Sequence, residues 1–151
     1  MEEVGFECIA FNELNEDAAD SFKANFPNAT PFVGSIEKEL TDAAMQRILD
    51  DPRIVGGIDL VCGGPPCQGF SGIGHRRTHE VEKQDIPTNH LFHEMIRVIK
   101  RLKPKAFLFE NVQGILSGKW TSKGENGEIF WDVWEGFAEI EGYVVQPGVV
   151  R

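Results

Sequence analysis

The sequence predicts an α/β fold, a doubly wound sheet of parallel strands with helices on its faces. Short apolar runs alternate along the chain with amphipathic helical stretches, an order typical of such sheets. Two of the runs, 58–62 and 106–109, end in turn-forming or polar residues, and a strongly amphipathic helical stretch lies between them. A right-handed crossover of this length places two strands side by side and parallel, so their carboxyl ends are expected at one edge of the sheet.

The first half of the chain is expected to contain three strands and two helices. Apolar runs predict strands at 6–11, 30–33 and 58–62. Helices are predicted at 16–25 and 42–49, where apolar residues recur at helical spacing. Asn15 and Thr41 stand directly before these helices as caps, and acidic residues follow in the first turns.

The second half is expected to contain two helices and two strands. Apolar residues at helical spacing predict helices at 89–102 and 128–140, with Pro104 and Gly142 just beyond their ends. A strand is predicted at 106–109. A final strand is predicted to start at 143–145.

Length, composition and charge bound what the chain can do. At 151 residues it is long enough to bury a core, and we expect one domain. No apolar run approaches the ~20 residues of a membrane-spanning helix, so no membrane partner is expected. The net charge of −9 disfavours non-specific binding to nucleic acid, because phosphate contacts depend on Lys and Arg.

The three cysteines predict neither a disulfide framework nor a metal site. Cys8, Cys62 and Cys67 are few and irregularly spaced, a usage that suits a reducing, cytoplasmic compartment. Cys62 lies inside an apolar run, and it and Cys8 are expected to be buried in the core. No metal is expected either, since no acidic or cysteine scaffold supports the four histidines, His75, His79, His90 and His93.

Two segments contain the residues that could carry chemistry. Residues 63–71 read Gly-Gly-Pro-Pro-Cys-Gln-Gly-Phe-Ser, a string whose glycines and prolines turn the chain sharply and leave Cys67 on a stiff loop. Residues 110–112, directly after the predicted strand 106–109, read Glu-Asn-Val. Because the two strands are expected side by side, the thiol of Cys67 and the carboxyl of Glu110 should face one crevice.

Together these segments resemble the cytosine-C5 DNA methyltransferase family, and the resemblance runs from about residue 4 to the C-terminus. Weaker similarities to the same family lie at 5–13, 34–36 and 89–92. The resemblance implies a Rossmann-like core that uses S-adenosylmethionine. It also implies transfer of a methyl group to C5 of cytosine in double-stranded DNA, on a base that is flipped out of the duplex.

The resemblance further implies roles for individual residues. Cys67 would be the nucleophile that adds to C6 of cytosine, and Glu110 would contact N3 and the exocyclic amine. Glu13 would accept hydrogen bonds from the ribose of the methyl donor. The other cofactor-binding residues implied are Leu14, Ser35, Ile36, Pro66 and Leu91. The residues implied to contact nucleic acid are Gln68, Ser71, Arg76 and Arg77.

The sequence departs from the family pattern in several places. The family's glycine-rich cofactor loop would come just before Gly5, which only four residues precede. Ser35 stands where the family has an aspartate, and Thr88 where it has an arginine. The family's target-recognition region would follow residue 151. We therefore interpret residues 1–151 as a partial catalytic domain of a bacterial-type restriction-modification enzyme, either a fragment or one part of a split enzyme. Its exposed strand edges favour self-association or a complementing subunit.

Other functions stay open on the sequence alone. The tRNA-methylating branch of the same family shares the Pro-Pro-Cys-Gln motif. A non-catalytic scaffold could keep the fold, although the presence of both Cys67 and Glu110 argues against that interpretation of the parent protein. A redox thiol protein is disfavoured, because no resolving cysteine lies at the short spacing from Cys67 that such a motif needs.

Overall fold

A computed structural model describes residues 5–66 and 85–150 of the chain, which divides into two compact units. The first unit holds the chain up to Ile58 together with Arg101–Lys103, and the second holds Asp59–Lys100 and the chain from Pro104 onward. Each unit contains one parallel pair of strands. None of the helices in these described ranges is both long enough and apolar enough to cross a membrane.

The first unit is a strand pair with three helices. In chain order its elements are β1 (Ala10–Glu13), α1 (Glu16–Asn25), β2 (Thr30–Val33), α2 (Ile36–Glu39) and α3 (Asp42–Leu49). The strands are parallel, with Ala10 opposite Thr30. Asn15 and Thr41 cap α1 and α3 as predicted, and each accepts a backbone N–H of the first turn, at 2.9 and 3.2 Å. The buried apolar side chains are Ala19, Ala29, Phe32, Leu40, Ala44, Met45, Ile48 and Leu102.

The second unit places two longer helices against its strand pair. Its elements are β3 (Leu60–Gly63), a 3₁₀ helix (Pro87–His90), α4 (Phe92–Leu102), β4 (Ala106–Phe109), a second 3₁₀ helix (Gln113–Ser117) and α5 (Glu128–Ala138). The strands are parallel, with Gly63 opposite Phe109. Both helices contribute to the core, which consists of Phe92, Met95, Ile96, Ile99, Ile115, Ile129, Val133, Phe137 and Ile140.

The two faces of the β3–β4 pair differ in exposure. Val61 and Phe107 pack against the core of the second unit. Cys62 and its partner Leu108 stand on the opposite face, because side chains alternate along a strand, and there Leu108 is 55% exposed. The prediction of a buried Cys62 is therefore wrong, since its side chain is exposed. A short apolar run does not show whether one or both faces of its strand are buried, and here only one face is.

The predicted elements agree with the structure except near their ends. The strands at 30–33 and 106–109 and the helices at 16–25 and 42–49 are confirmed. The strand predicted at 6–11 instead begins at Ala10 and continues to Glu13. The helix predicted from 89 starts at Phe92, because Pro87 begins a 3₁₀ helix. No strand forms at 143–145 in the described chain. Tyr143 instead donates its hydroxyl hydrogen to the carbonyl of Pro104 and packs edge-on against Phe107.

The α/β class with parallel strand pairs is confirmed. Two short helices, α2 and the 3₁₀ helix at Gln113–Ser117, were not predicted. The strand ladders form two two-stranded sheets, so the single doubly wound sheet stays a prediction.

Candidate active site

Glu110 continues directly from β4 and lies against the glycines that follow β3. Its backbone N–H donates to the carbonyl of Gly63 at 2.9 Å, which extends the strand pairing by one step. A Cβ atom added to Gly64 would stand 3.0 Å from Oε2 of Glu110 and 3.5 Å from its carbonyl oxygen. The backbone of Gly64 and the carboxyl of Glu110 thus approach more closely than a larger residue would allow. The side chain of Glu110 remains accessible to solvent.

Asn111 joins the two sequence segments. Its Nδ2 donates to the carbonyl of Pro65 at 3.2 Å, and its Oδ1 accepts the backbone N–H of Val112 at 2.8 Å. The bond from Asn111 to Pro65 spans 46 residues of sequence. It therefore places the residue after Glu110 against the turn that leads into Cys67.

Of the crevice predicted between Cys67 and Glu110, the described residues include the Glu110 side and the chain up to Pro66. Outside the described residues lie Cys67, Gln68, Ser71, Arg76 and Arg77. Pro66 is described, and it lines a small pocket with Pro65, Thr88, Asn89 and Asn111. The approach of the thiol to Glu110 stays a prediction, which the neighbouring Asn111–Pro65 bond favours.

Glu13 ends β1 as predicted for a ribose-binding carboxylate. Its Oε1 accepts the backbone N–H of Asn15 at 3.0 Å, which turns the carboxyl toward the start of α1. It lines an open groove whose other walls come from α1 and its C-terminal end, namely Ala18, Ser21, Phe22, Asn25 and Phe26. A partly accessible carboxylate beside apolar rings can accept hydrogen bonds from sugar hydroxyls.

The carboxyl ends of β1 and β2 are held together by Asn12. Its Nδ2 donates to the carbonyl of Phe32 at 2.7 Å and to the carbonyl of Gly34 at 3.0 Å. Gly34 has a φ of +133°, a conformation that favours glycine. Because Glu13 follows Asn12 directly, these two hydrogen bonds help to fix the position of the Glu13 carboxyl.

The remaining predicted cofactor residues differ in their surroundings. Leu14 is 70% exposed just past β1, and Ile36 is half-buried as the first residue of α2. Ser35 stands before α2 and donates its hydroxyl hydrogen to Glu37 at 3.2 Å. Leu91, in the second unit, is half-buried between the 3₁₀ helix and α4.

Imidazole and indole rings stack near the start of α4. His90 lies parallel to His93 at 6.2 Å and to Trp120 at 5.0 Å between ring centres. Burial and the neighbouring His90 lower the pKa of His93. Within the described parts of the chain, no three His, Cys, Asp or Glu side chains form a group that could hold a metal ion.

Glu128 fixes the loop that separates the Glu-Asn-Val segment from α5. Its carboxylate accepts the backbone N–H groups of Trp120 and of Glu125, the latter at 2.9 Å. The bond from Trp120 is the main cause that lowers the pKa of Glu128 below its usual value of 4.5. The charged form of Glu128 is therefore the form that orders this loop.

Acidification is expected to release this loop. A carboxyl with a lowered pKa in the folded state contributes stability that is fully present above its unfolded pKa, near 4.5, and lost as pH falls through the lowered value. Hydrogen exchange at the Trp120 and Glu125 amides, corrected for intrinsic rates, should show less protection as the pH falls below about 4.5. Glu128→Gln, which has one acceptor oxygen instead of two, should weaken that protection already at pH 7. Equal protection in both proteins at pH 7 would contradict the assignment.

Sequence reasoning missed the residues that position the others. Asn12 lies just past the strand predicted at 6–11 and is assigned no role there, although an asparagine at a strand end signals a specific hydrogen-bonding role. Asn111 was noted as part of a motif without a partner. The prolines at 65 and 66 gave the missing signal, because their carbonyls need donors from elsewhere.

Comparison with known proteins supports the same interpretation. The profile of the family described as C-5 cytosine-specific DNA methylase matches residues 1–151. Type II methyltransferase M1.HphI of Haemophilus parahaemolyticus is 37% identical over 152 aligned positions, which cover 100% of this chain and 37% of the relative. Type II methyltransferase M.XorII of Xanthomonas oryzae pv. oryzae is 37% identical over 119 residues, 79% of this chain and 26% of the relative.

A third relative covers more of its own length. Type II methyltransferase M.AquIA of a Picosynechococcus species is 35% identical over 129 residues, 82% of this chain and 47% of the relative. The chain thus spans between about a quarter and a half of these relatives. The match of the family profile to every residue, together with the Glu110–Gly64 and Asn111–Pro65 contacts, leads to one conclusion: the chain belongs to the C-5 cytosine-specific DNA methylase family.

Proposed function

We propose that residues 1–151 form part of an enzyme that methylates C5 of cytosine in double-stranded DNA. The observation that carries the proposal is the hydrogen bond from Asn111 to Pro65, which joins the segment that contains Glu110 to the turn before Cys67. Membership of the C-5 cytosine-specific DNA methylase family supports the same reaction. The parent protein is proposed to be bacterial and cytoplasmic, and its recognised DNA sequence is left open.

The two proposed catalytic residues have complementary tasks. C5 of cytosine is a weak nucleophile, and addition of the Cys67 thiolate to C6 creates an enamine in which C5 carries the reactive electron pair. Glu110 donates a hydrogen bond or proton at N3, which becomes more basic as the thiolate adds. After methylation a base removes the proton from C5, the electron pair re-forms the C5–C6 double bond, and the Cys67 thiolate leaves.

The methyl donor is proposed to be S-adenosylmethionine, which supplies the methyl group as a sulfonium electrophile. In the first unit, the carboxylate of Glu13 would accept hydrogen bonds from the ribose, and the open groove beside α1 fits that task. Leu14, Ser35 and Ile36 would complete the contacts at the carboxyl ends of β1 and β2. Ser35 cannot replace an aspartate as a charged acceptor. The cofactor roles of Pro66 and Leu91 stay predictions.

The DNA is proposed to meet the segment after Cys67. Gln68 and Ser71 would contact the flipped base or its neighbours, and Arg76 and Arg77 would contact phosphates. The proposed architecture of the completed enzyme is one doubly wound, Rossmann-like sheet that includes all four described strands.

The isolated chain is expected to transfer no methyl group and to bind S-adenosylmethionine weakly. The motif residues Cys67 and Glu110 are present in residues 1–151, whereas residues 1–4 contain no glycine. Supplying the family's flanking segments, in one chain or as a second chain, should restore transfer. The measurement is incorporation of labelled methyl groups into duplex DNA, followed by identification of 5-methylcytosine in the digest.

Two controls decide what this experiment shows. The flanking segments alone, without residues 1–151, should be inactive. A matched reaction with tRNA tests the related branch of the family. Methyl transfer to tRNA but not to DNA would overturn the proposed substrate, and methyl transfer to DNA by residues 1–151 alone would overturn the interpretation of the chain as incomplete.

Self-association of the isolated chain is also expected. In the second unit, exposed apolar side chains lie on the open face of the strand pair and just beyond β4: Leu108, Val112 and Leu116. Exposed apolar surface of this kind and short unpaired strand edges favour association. Light scattering should show a molar mass that rises with protein concentration. Leu108→Lys should shift the equilibrium toward monomer, and a monomeric wild-type chain at high concentration would contradict the expectation.

A further inference from the structure

The small pocket behind the Pro65–Pro66 turn has polar side chains on one part of its wall. Thr88, Asn89 and Asn111 contribute the polar groups, and the rest of the lining is apolar: Pro65, Pro66, Phe92, Phe109, Ile129 and Val133. The space open to the centre of a water molecule is about 10 Å³, so one water fits and a larger ligand does not. A water-sized space with several polar groups around it is the kind of site that ordered internal water occupies.

The hydroxyl of Thr88 supplies the second observation. Its Oγ1 is shielded from solvent and has no hydrogen-bond partner among the described residues. A shielded hydroxyl that makes no hydrogen bond is costly, and in native proteins such groups are satisfied by a partner or by ordered water. Asn89, next in sequence, is only 4% exposed, whereas Thr88 and Asn111 are half-buried, so the polar wall is largely but not wholly shielded from solvent.

The turn itself needs hydrogen-bond donors. Pro65 and Pro66 have no backbone N–H, so the turn can be held by hydrogen bonds only through its carbonyl oxygens. Asn111 already donates to the carbonyl of Pro65. A water can accept the Thr88 hydroxyl hydrogen and donate both of its own hydrogens to acceptors in the pocket. Prolines provide such acceptors, because their backbone has a carbonyl oxygen and no N–H.

We propose that Thr88 is a positioning residue that holds the Pro65–Pro66 turn through one water molecule bound in this pocket. The water joins the 3₁₀ helix at Pro87–His90 to the turn, in addition to the bond from Asn111. The turn leads directly into Cys67. The water therefore helps to fix the position of the backbone just before the proposed nucleophile. This consequence rests on the proposed function, whereas the water site itself does not.

The water site is tested on the 151-residue chain with Thr88→Val and Thr88→Ser. Valine keeps the shape of threonine without the hydroxyl, and serine keeps the hydroxyl. Crystal structures of wild type and Thr88→Ser should contain one water bonded to residue 88, and Thr88→Val should lack it. The melting temperature of Thr88→Val should fall by roughly 2–4 °C, as for the loss of one hydrogen bond. A wild-type pocket without ordered water, or a Thr88→Val chain as stable as wild type, would overturn the proposal.

The positioning role is tested in the completed enzyme. Thr88→Val should lower kcat about 5- to 10-fold with KM for DNA and for the methyl donor within about twofold, because binding surfaces are kept while the turn is loosened. Thr88→Ser should retain most of kcat. An unchanged kcat in Thr88→Val would overturn the role. An inactive wild-type enzyme would instead count against the proposed function, and the crystal structures would still decide the water site.

Discussion

In the completed enzyme, Cys67→Ser is expected to lower methyl transfer by roughly 10³-fold or more, as removal of a covalent nucleophile does. The proposed addition to C6 needs the thiolate, and a free thiol ionises at about pH 8.5, close enough to neutrality for some thiolate to be present. An alcohol of the same shape is hardly ionised at neutral pH and adds poorly to the ring. The measurement is the rate of labelled methyl incorporation into duplex DNA at saturating substrates.

Cys62 provides a matched control from the same chain. It lies five residues before Cys67 and is exposed at the end of β3, so Cys62→Ser tests the loss of a thiol without loss of the proposed nucleophile. Although the side chain reaches solvent, the surrounding protein partly desolvates the thiol and raises its pKa, which keeps it in the unreactive neutral form. Cys62→Ser should methylate DNA at close to the wild-type rate.

A second measurement detects the bond directly. DNA with fluorine at C5 of the target cytosine cannot lose a C5 proton, so the thiolate cannot be expelled and the adduct should persist. Wild type and Cys62→Ser should form a covalent protein–DNA species on a denaturing gel, and Cys67→Ser should not. Near wild-type turnover by Cys67→Ser, or an adduct that maps to Cys62, would show that the nucleophile is assigned wrongly.

The sequence predicted most of the local structure because the local signals were strong. Asn15 and Thr41 cap α1 and α3 at the predicted positions, and the apolar run before Glu110 forms β4 with the predicted bounds. Both kinds of signal act over a few residues of chain. The same local reasoning misplaced the start of α4, where the bend at Pro87 makes a 3₁₀ helix instead of a first helical turn.

Properties that depend on distant contacts could not be predicted. Cys62 and Val61 are adjacent in one apolar run, and only the packing of the β3–β4 pair decides which of them is covered. The bond from Asn111 to Pro65 joins residues 46 positions apart, and although the prolines indicate that a donor is needed, no local pattern indicates which residue supplies it. The candidate site was therefore predictable as motif residues at strand ends, whereas the asparagines that hold those ends were not.

Glu110→Gln is expected to slow methyl transfer by about 10²- to 10⁴-fold, the range over which general acid–base residues contribute. Glutamine keeps the shape of the side chain and can still donate a hydrogen bond, but it cannot give a proton to N3. Because the reaction step is affected more than binding, kcat should fall while KM for DNA changes little. Glu135→Gln, at an exposed acid on α5, is the matched control and should have wild-type kinetics.

Gly64→Ala tests the position of the same carboxyl without changing its chemistry. The added Cβ would stand 3.0 Å from Oε2 of Glu110, so the carboxyl must shift, whereas its distance of 3.5 Å from the Glu110 carbonyl oxygen is an ordinary contact. We expect an intermediate loss of kcat, since a small displacement of a catalytic group is costly. Gly148→Ala, where an added Cβ meets nothing within 4 Å, should have no effect.

Glu110→Gln and Gly64→Ala together distinguish a role of the Glu110 carboxyl in proton transfer from a purely structural role. If Glu110 acts on N3, Glu110→Gln should lose more activity than Gly64→Ala, and the double variant should lose little more than Glu110→Gln alone, because the shifted group is already inactive. Additive losses would mean that Gly64 acts on something other than Glu110. Glu110→Gln with near wild-type kcat would remove the carboxyl of Glu110 from the mechanism, and Glu110 would then serve only through the hydrogen bond from its backbone N–H to the carbonyl of Gly63.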